Sequence, residues 1–104
     1  MSRIAALEAL LAKGQDSALL RYSLGQELLA AGDMVSAAGH LEKAVSAEAG
    51  YSAAWKLLGK ARAALGDVAG ARAAFESGIA AAERKGDKQA GKEMQVFLQR
   101  LPAA

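Results

Sequence analysis

Two stretches of this chain carry the same residues at a constant spacing of 34 positions. Aligning residues 18–51 with residues 52–85 gives eight identities, about twice the number that chance would give for so alanine-rich a composition. The identical positions are Leu24 and Leu58, Gly25 and Gly59, Ala30 and Ala64, Gly32 and Gly66, Asp33 and Asp67, Ala37 and Ala71, Glu42 and Glu76, and Ala47 and Ala81. A fixed period of this length is typical of a supersecondary unit that is repeated and stacked into a helical array.

The composition favours an all-α fold. The 104 residues include 27 alanines and 14 leucines, but one proline and few aromatic or β-branched residues. Alanine and leucine are strong helix formers with little preference for strands. A chain of this length is expected to form a single domain, residues 1–104. The absence of cysteine excludes disulfides and thiolate chemistry.

The distribution of apolar residues indicates the cell compartment in which we expect the protein. No apolar run approaches the roughly 18 residues that would span a bilayer, so no membrane association is expected. The first residues lead into an amphipathic segment that contains Glu8, which does not resemble the apolar core of a secretory signal. We therefore expect a cytoplasmic protein.

Periodicity and glycine breaks predict six helices joined by short turns. Their expected ranges are about 2–13, 17–31, 34–48, 53–65, 68–85 and 88–100. Connections of two to four residues make each helix antiparallel to the one before it, which gives stacked helical hairpins. Gly14 ends the first helix, and the Gly-Asp pairs beginning at Gly32 and Gly66 each combine a left-handed stop with an N-cap. Gly86 and Asp87 start the last helix. Asp16 and Ser52 are the predicted caps of the second and fourth helices.

Two glycines fall inside predicted helices at the same phase of the repeat. Gly25 and Gly59 each cost about 1 kcal/mol relative to alanine. We expect that each lets the partner helix of its hairpin approach at backbone contact distance, with Leu41 and Phe75 filling the neighbouring space. Trp55 is expected to be a core anchor between the two hairpins, and Leu65 is placed on the buried side of the fourth helix.

These positions resemble the tetratricopeptide repeat, whose pattern runs W-x2-L-G-x2-Y, then A-x3-F, then P. The second unit matches it at Trp55, Leu58, Gly59, Ala71 and Phe75, and the first at Leu24, Gly25, Ala37 and Leu41. The resemblance implies a half-repeat helix over 1–14, repeats over 18–51 and 52–85, and a capping helix over 87–101.

The chain departs from that pattern at several positions. Arg21 stands in place of tryptophan, Leu28 and Arg62 in place of tyrosine, and Ala49 and Glu83 in place of proline. In the last helix, the apolar stripe is shifted by about two residues from the 34-residue period.

The resemblance implies a non-catalytic protein–protein interaction module, either an adaptor, a co-chaperone-like protein or an assembly factor. Family members generally bind a peptide or helix in a groove lined by the first helix of each repeat. On this chain that groove maps to Tyr22, Gln26, Lys56, Lys60 and Lys92. Lys56 and Lys60 lie one helical turn apart and would suit an acidic peptide, although ordinary solvation is an equally good interpretation. The chain has no asparagine, which excludes the paired-asparagine carboxylate clamp of one branch of the family.

Other functions have less support from the sequence. A sequence pI of about 9.1 and a basic C-terminal half make a nucleic-acid-binding protein the alternative, through Arg84, Lys85, Lys88, Lys92 and Arg100. The solitary His40, the lack of metal-ligand clusters and the absence of a nucleophile or phosphate-binding motif argue against an enzyme, a cofactor or a metal site. Weak self-association through Leu10 or Ile4 on the first helix stays open.

Overall fold

The computed structural model describes residues 2–103, and within that range every regular element is a helix. The bounds of the helices are Arg3–Ala12 (α1), Ala18–Ala30 (α2), Met34–Ala47 (α3), Ser52–Ala64 (α4), Val68–Lys85 (α5) and Lys88–Arg100 (α6). Each predicted end lies within one residue of the observed one, so the all-α prediction and its six helices are confirmed.

The helices pack as a row of neighbouring pairs. The most extensive contacts are within the hairpins α2–α3 and α4–α5, followed by α5–α6 and α3–α4, while α1 packs against α2. In addition α2 touches α4, and α4 touches α6. The first helices of successive hairpins therefore lie side by side, which is the arrangement that a stacked array requires.

The turns within the two hairpins have the predicted form. Gly32 and Gly66 have φ angles of 86° and 80°, in the left-handed region that favours glycine. The aspartates that follow them cap the next helix, since Asp33 accepts a hydrogen bond from the Ser36 amide and Asp67 one from the Gly70 amide. The repeated Gly-Asp pairs are thus explained by the turn geometry alone.

The cap predictions for α2 and α4 are wrong. Ser17 caps α2 by accepting from the Leu20 amide, because the carboxylate of Asp16 is instead paired with Arg21. The residue at the N-cap of α4 is Tyr51, which makes no side-chain cap bond, and Ser52 is a buried residue of the first turn.

The core is built where large side chains meet the helical glycines. A Cβ added to Gly25 would lie 2.4 Å from Cγ of Leu41, and one added to Gly59 would lie 2.5 Å from Cε1 of Phe75. The predicted close approach at both glycines is confirmed. The atoms nearest to the added Cβ belong in each case to the large side chain of the partner helix.

Two positions assigned to the buried stripe of α4 are more exposed than expected. Leu65 is 46% exposed at the end of the helix, so its placement in the core is wrong. Trp55 is half-buried: its Cβ lies against Gly78 of α5, and its ring nitrogen donates a hydrogen bond of 2.7 Å to the Ala49 carbonyl. The indole therefore binds the loop before α4, because its polar edge needs an acceptor.

Candidate functional site

The helices α2, α4 and α6 share one surface, which we call the first-helix face. Of the two groove residues predicted on α2, Gln26 is exposed and Tyr22 is half-buried. The Tyr22 ring stacks on that of Tyr51, with centroids 5.0 Å apart. Burial, followed by the proximity of Tyr22, raises the pKa of Tyr51 above its usual value.

On α4 both predicted groove lysines face α6, and each meets a different group there. The ammonium of Lys56 lies 3.3 Å from a carboxylate oxygen of Glu93. The ammonium of Lys60 lies 5.1 Å from the centroid of the Phe97 ring, within the range of a cation–π contact. The charge of Lys56 is therefore paired with the carboxylate of Glu93, whereas the charge of Lys60 lies over the ring of Phe97.

Lys92 lies elsewhere on α6. It lines a cleft of about 390 Å³ between α5 and α6, together with Ile79 and Glu83. Glu93, rather than Lys92, is the α6 residue that pairs with Lys56. The reason is the two-residue shift of the apolar stripe: Met94 is fully buried, which places the preceding residue toward α4. That shift is visible in the sequence, but which α6 side chain meets Lys56 depends on how α6 packs against α4.

A second, smaller pocket lies where the C-terminal ends of α4 and α6 meet α5. Its volume is about 310 Å³. Its lining residues are Lys60, Ala63, Phe75, Phe97, Arg100, Leu101 and Pro102, and we call it the Phe97 pocket. Two of its members are cationic and the others are apolar. Sequence reasoning named Lys60 but not Phe97 as part of a site, because an aromatic residue on an apolar stripe is usually assigned to the core.

Arg21, which replaces the tryptophan of the repeat pattern, organises a polar cluster away from these pockets. Its guanidinium pairs with both carboxylate oxygens of Asp16 at 2.8 Å and lies 3.1 Å from Nδ1 of His40. The hydrogen bond from Arg21 lowers the pKa of Asp16. Burial, and then the charge of Arg21, lowers the pKa of His40.

Two further kinds of function, metal binding and membrane spanning by a helix, require clustered ligand side chains and a long apolar helix respectively. Between residues 2 and 103 there is no group of three histidine, cysteine, aspartate or glutamate side chains placed to hold a metal ion. None of the helices described is long and apolar enough to cross a membrane.

Antiparallel hairpins that recur at a 34-residue period, with their first helices side by side, define an α-helical repeat protein. The tetratricopeptide repeat family model matches residues 28–90. A TPR repeat-containing protein of Pseudomonas aeruginosa is 58% identical over 101 residues, which cover 97% of this chain and 96% of that relative. The chain belongs to the tetratricopeptide repeat family, as its 34-residue period suggested.

A solved structure supports the same fold. The solution structure of a protein from Bordetella parapertussis is similar to this one, with a TM-score of 0.83 and 48% sequence identity. The match covers 97% of this chain and 88% of that one. Membership of the family points to a protein–protein interaction module, and such modules are generally non-catalytic.

Proposed function

We propose that this protein is an adaptor, a co-chaperone-like protein or an assembly factor that holds a segment of a partner protein on the first-helix face. In this proposal residues 1–104 act as one domain, with repeats at 18–51 and 52–85, a half-repeat helix before them and a capping helix after them. The setting we propose is the cytoplasm. The observation that carries the proposal is the contact between Lys60 and Phe97, which combines a free positive charge with apolar surface.

The charges of the first-helix face favour an acidic segment. Lys60 contributes a positive charge, and the partly exposed pair of Lys56 and Glu93 can be opened at small cost. Pairs of this kind are worth about 0.2–1 kcal/mol, so an acidic side chain of the partner can replace Glu93. Gln26 and the Tyr22 hydroxyl supply polar groups for the backbone of a bound segment.

The alternative of nucleic-acid binding has weaker support. The basic cluster proposed for it is divided between surfaces, since Lys88 and Lys92 line the cleft between α5 and α6 whereas Arg100 lines the Phe97 pocket. Nucleic-acid binding through a neutralised phosphate backbone requires a continuous basic surface and is steeply salt-dependent. Titration with random single-stranded and duplex oligonucleotides at low and high salt tests it, and salt-dependent binding would favour this alternative.

Affinity capture from native lysate tests the adaptor proposal. The bait is the full chain, compared with Lys60→Glu and with the double variant Lys56→Glu/Lys60→Glu. The matched control is Lys43→Glu, which makes the same change of charge at an exposed position on α3. We expect specific partners to be retained by the control and lost by the Lys60 variants. Partners that survive both charge reversals would refute the assignment of the groove.

A further inference from the structure

We propose that the Phe97 pocket receives one large apolar side chain of the bound segment, while acidic residues next to that side chain pair with Lys60 and Arg100. The inference rests on the proposed function and specifies the sequence class of the partner. The occupant is a peptide with an aromatic or long aliphatic residue flanked by glutamate or aspartate.

The floor of the pocket is aromatic and rigid. Phe75 is 1% exposed and fixed over Gly59, and the Phe97 ring stacks on it with centroids 5.8 Å apart and an interplanar angle of 19°. Pro102 and Leu101 form a wall beside these rings. A volume of about 310 Å³ is at the small end for a ligand site, so the pocket suits one side chain rather than a whole cofactor.

The rim of the pocket supplies two positive charges, those of Lys60 and Arg100. Ion pairs in residues 2–103 engage Arg3, Arg21, Lys56 and Arg62 with carboxylates. In the same range no carboxylate pairs with Lys60 or Arg100. Two cations beside an apolar floor therefore attract a ligand that brings its own negative charge, and charge complementarity of this kind favours specificity and fast association.

The geometry favours a peptide over a nucleic acid. Single-stranded nucleic acids bind by stacking bases on exposed aromatic faces. Phe97 has Phe75 stacked along one side and the ammonium of Lys60 over its ring. A side chain that inserts between Phe97 and Leu101 needs no free ring face, and its neighbouring carboxylates can draw Lys60 from the ring, because an exposed cation–π contact is worth only about 0.5–1 kcal/mol.

NMR titration of the ¹⁵N-labelled full chain tests this with three blocked tripeptide amides: acetyl-Glu-Phe-Glu, acetyl-Glu-Ala-Glu and acetyl-Gln-Phe-Gln. We expect the first to shift the amide signals of Phe97, Arg100 and Leu101. Replacing phenylalanine by alanine is expected to weaken binding at least about tenfold, as the loss of a buried aromatic side chain predicts. Replacing both glutamates is expected to weaken it several-fold and to remove its salt dependence.

Matched variants assign the effect to the pocket. Lys60→Gln and Arg100→Gln are expected to weaken acetyl-Glu-Phe-Glu binding several-fold and to leave acetyl-Gln-Phe-Gln unchanged. Lys92→Gln, in the separate cleft, is expected to change neither. Equal affinities for the phenylalanine and alanine peptides, shifts confined to other surfaces, absence of binding at millimolar peptide, or tighter binding of an oligothymidylate at the same signals would each overturn the proposal.

The experiments distinguish a failure of the pocket proposal from a failure of the adaptor proposal. If Lys60→Glu abolishes partner capture but the tripeptides do not bind, the pocket is refuted and the adaptor proposal stands. If the tripeptides bind the pocket but capture is indifferent to Lys60→Glu, the pocket stands and the groove assignment is refuted.

Discussion

The ring of Phe75 occupies the space that a side chain at Gly59 would need. A Cβ at that position would lie within 2.5–2.7 Å of three ring atoms, while 34 residues earlier Leu41 occupies the equivalent space above Gly25. Both large residues are almost completely buried. One interlocking contact is therefore used twice, and it fixes how closely the two helices of each hairpin approach.

Alanine at either glycine should destabilise the fold, although it is the better helix former. We expect Gly59→Ala and Gly25→Ala to lower the free energy of unfolding by about 1–3 kcal/mol, because a buried ring or isobutyl group must move. Urea unfolding followed by circular dichroism measures this. The control is Gly39→Ala on α3, where an added Cβ meets nothing within 4 Å. It should stabilise by about 0.5–1 kcal/mol. Stabilisation at all three positions would disprove the interlock.

Removal of the aspartate caps should weaken each hairpin separately. Asp33→Ala and Asp67→Ala each remove an acceptor for a first-turn amide, and each is expected to cost about 1 kcal/mol. Asparagine at the same positions should retain most of the stability, since its oxygen can accept the same bond. Glu76→Ala, at an exposed helical position, is the control and should change stability by less than about 0.5 kcal/mol. Thermal unfolding distinguishes the three outcomes.

The role of Trp55 can be divided into its hydrogen bond and its packing. Trp55→Phe keeps most of the apolar contact but loses the donor to Ala49, so we expect a cost of about 1 kcal/mol. Trp55→Ala also removes the packing and should cost about 3 kcal/mol. Denaturant unfolding of both variants provides the comparison. If phenylalanine proved as damaging as alanine, the hydrogen bond rather than the packing would dominate.

The pair of Lys56 and Glu93 should contribute little to the free energy of unfolding. It should instead determine whether the ammonium of Lys56 is available to a ligand. Both side chains are partly exposed, so a double-mutant cycle with Lys56→Gln and Glu93→Gln is expected to give a coupling of about 0.2–1 kcal/mol that falls as salt is added. Glu93→Gln alone should increase capture of an acidic partner several-fold, because it frees Lys56. Unchanged or weaker capture by this variant would argue against an acidic ligand at this position.

Protonation of His40 should lower the free energy of unfolding in mildly acidic solution. The pKa of His40 is lower in the folded state than its ordinary value of 6.5, because burial and Arg21 disfavour the charged ring. The unfolded chain therefore binds the proton more readily. Stability is fully present above pH 6.5, declines as the pH falls toward the folded pKa, and levels off below it. His40→Gln should flatten this part of the profile, measured by urea unfolding from pH 7.5 to 5. A slope unchanged in the variant would assign the effect to another group.

Much of the fold follows from local signals. The Gly-Asp pairs predicted the hairpin turns because left-handed φ and side-chain capping are properties of a few adjacent residues. The helix ends followed in the same way. The predicted cap of α2 was wrong because capping competes with ion pairing. Asp16 can cap or pair with Arg21, and the outcome depends on where Arg21 lies in the folded chain.

The candidate site was harder to predict. The sequence placed Lys56 and Lys60 on one helical face, since residues four apart lie one turn apart. It could not show that Glu93 neutralises one lysine while Phe97 lies beneath the other, because both contacts join helices that are more than 30 residues apart. They depend on the rotation of α6, which is set by how Met94 packs beside Gly78.

The sequence by itself determined the repeat, the helices and the glycine positions that allow the hairpins to close. These features depend on local backbone conformation and on the 34-residue spacing of identical residues. Only the tertiary structure decided which charges remain unpaired, how far Trp55 is buried and where an apolar pocket with a cationic rim opens. Those features arise from packing between helices, where a shift of two residues changes which side chains meet.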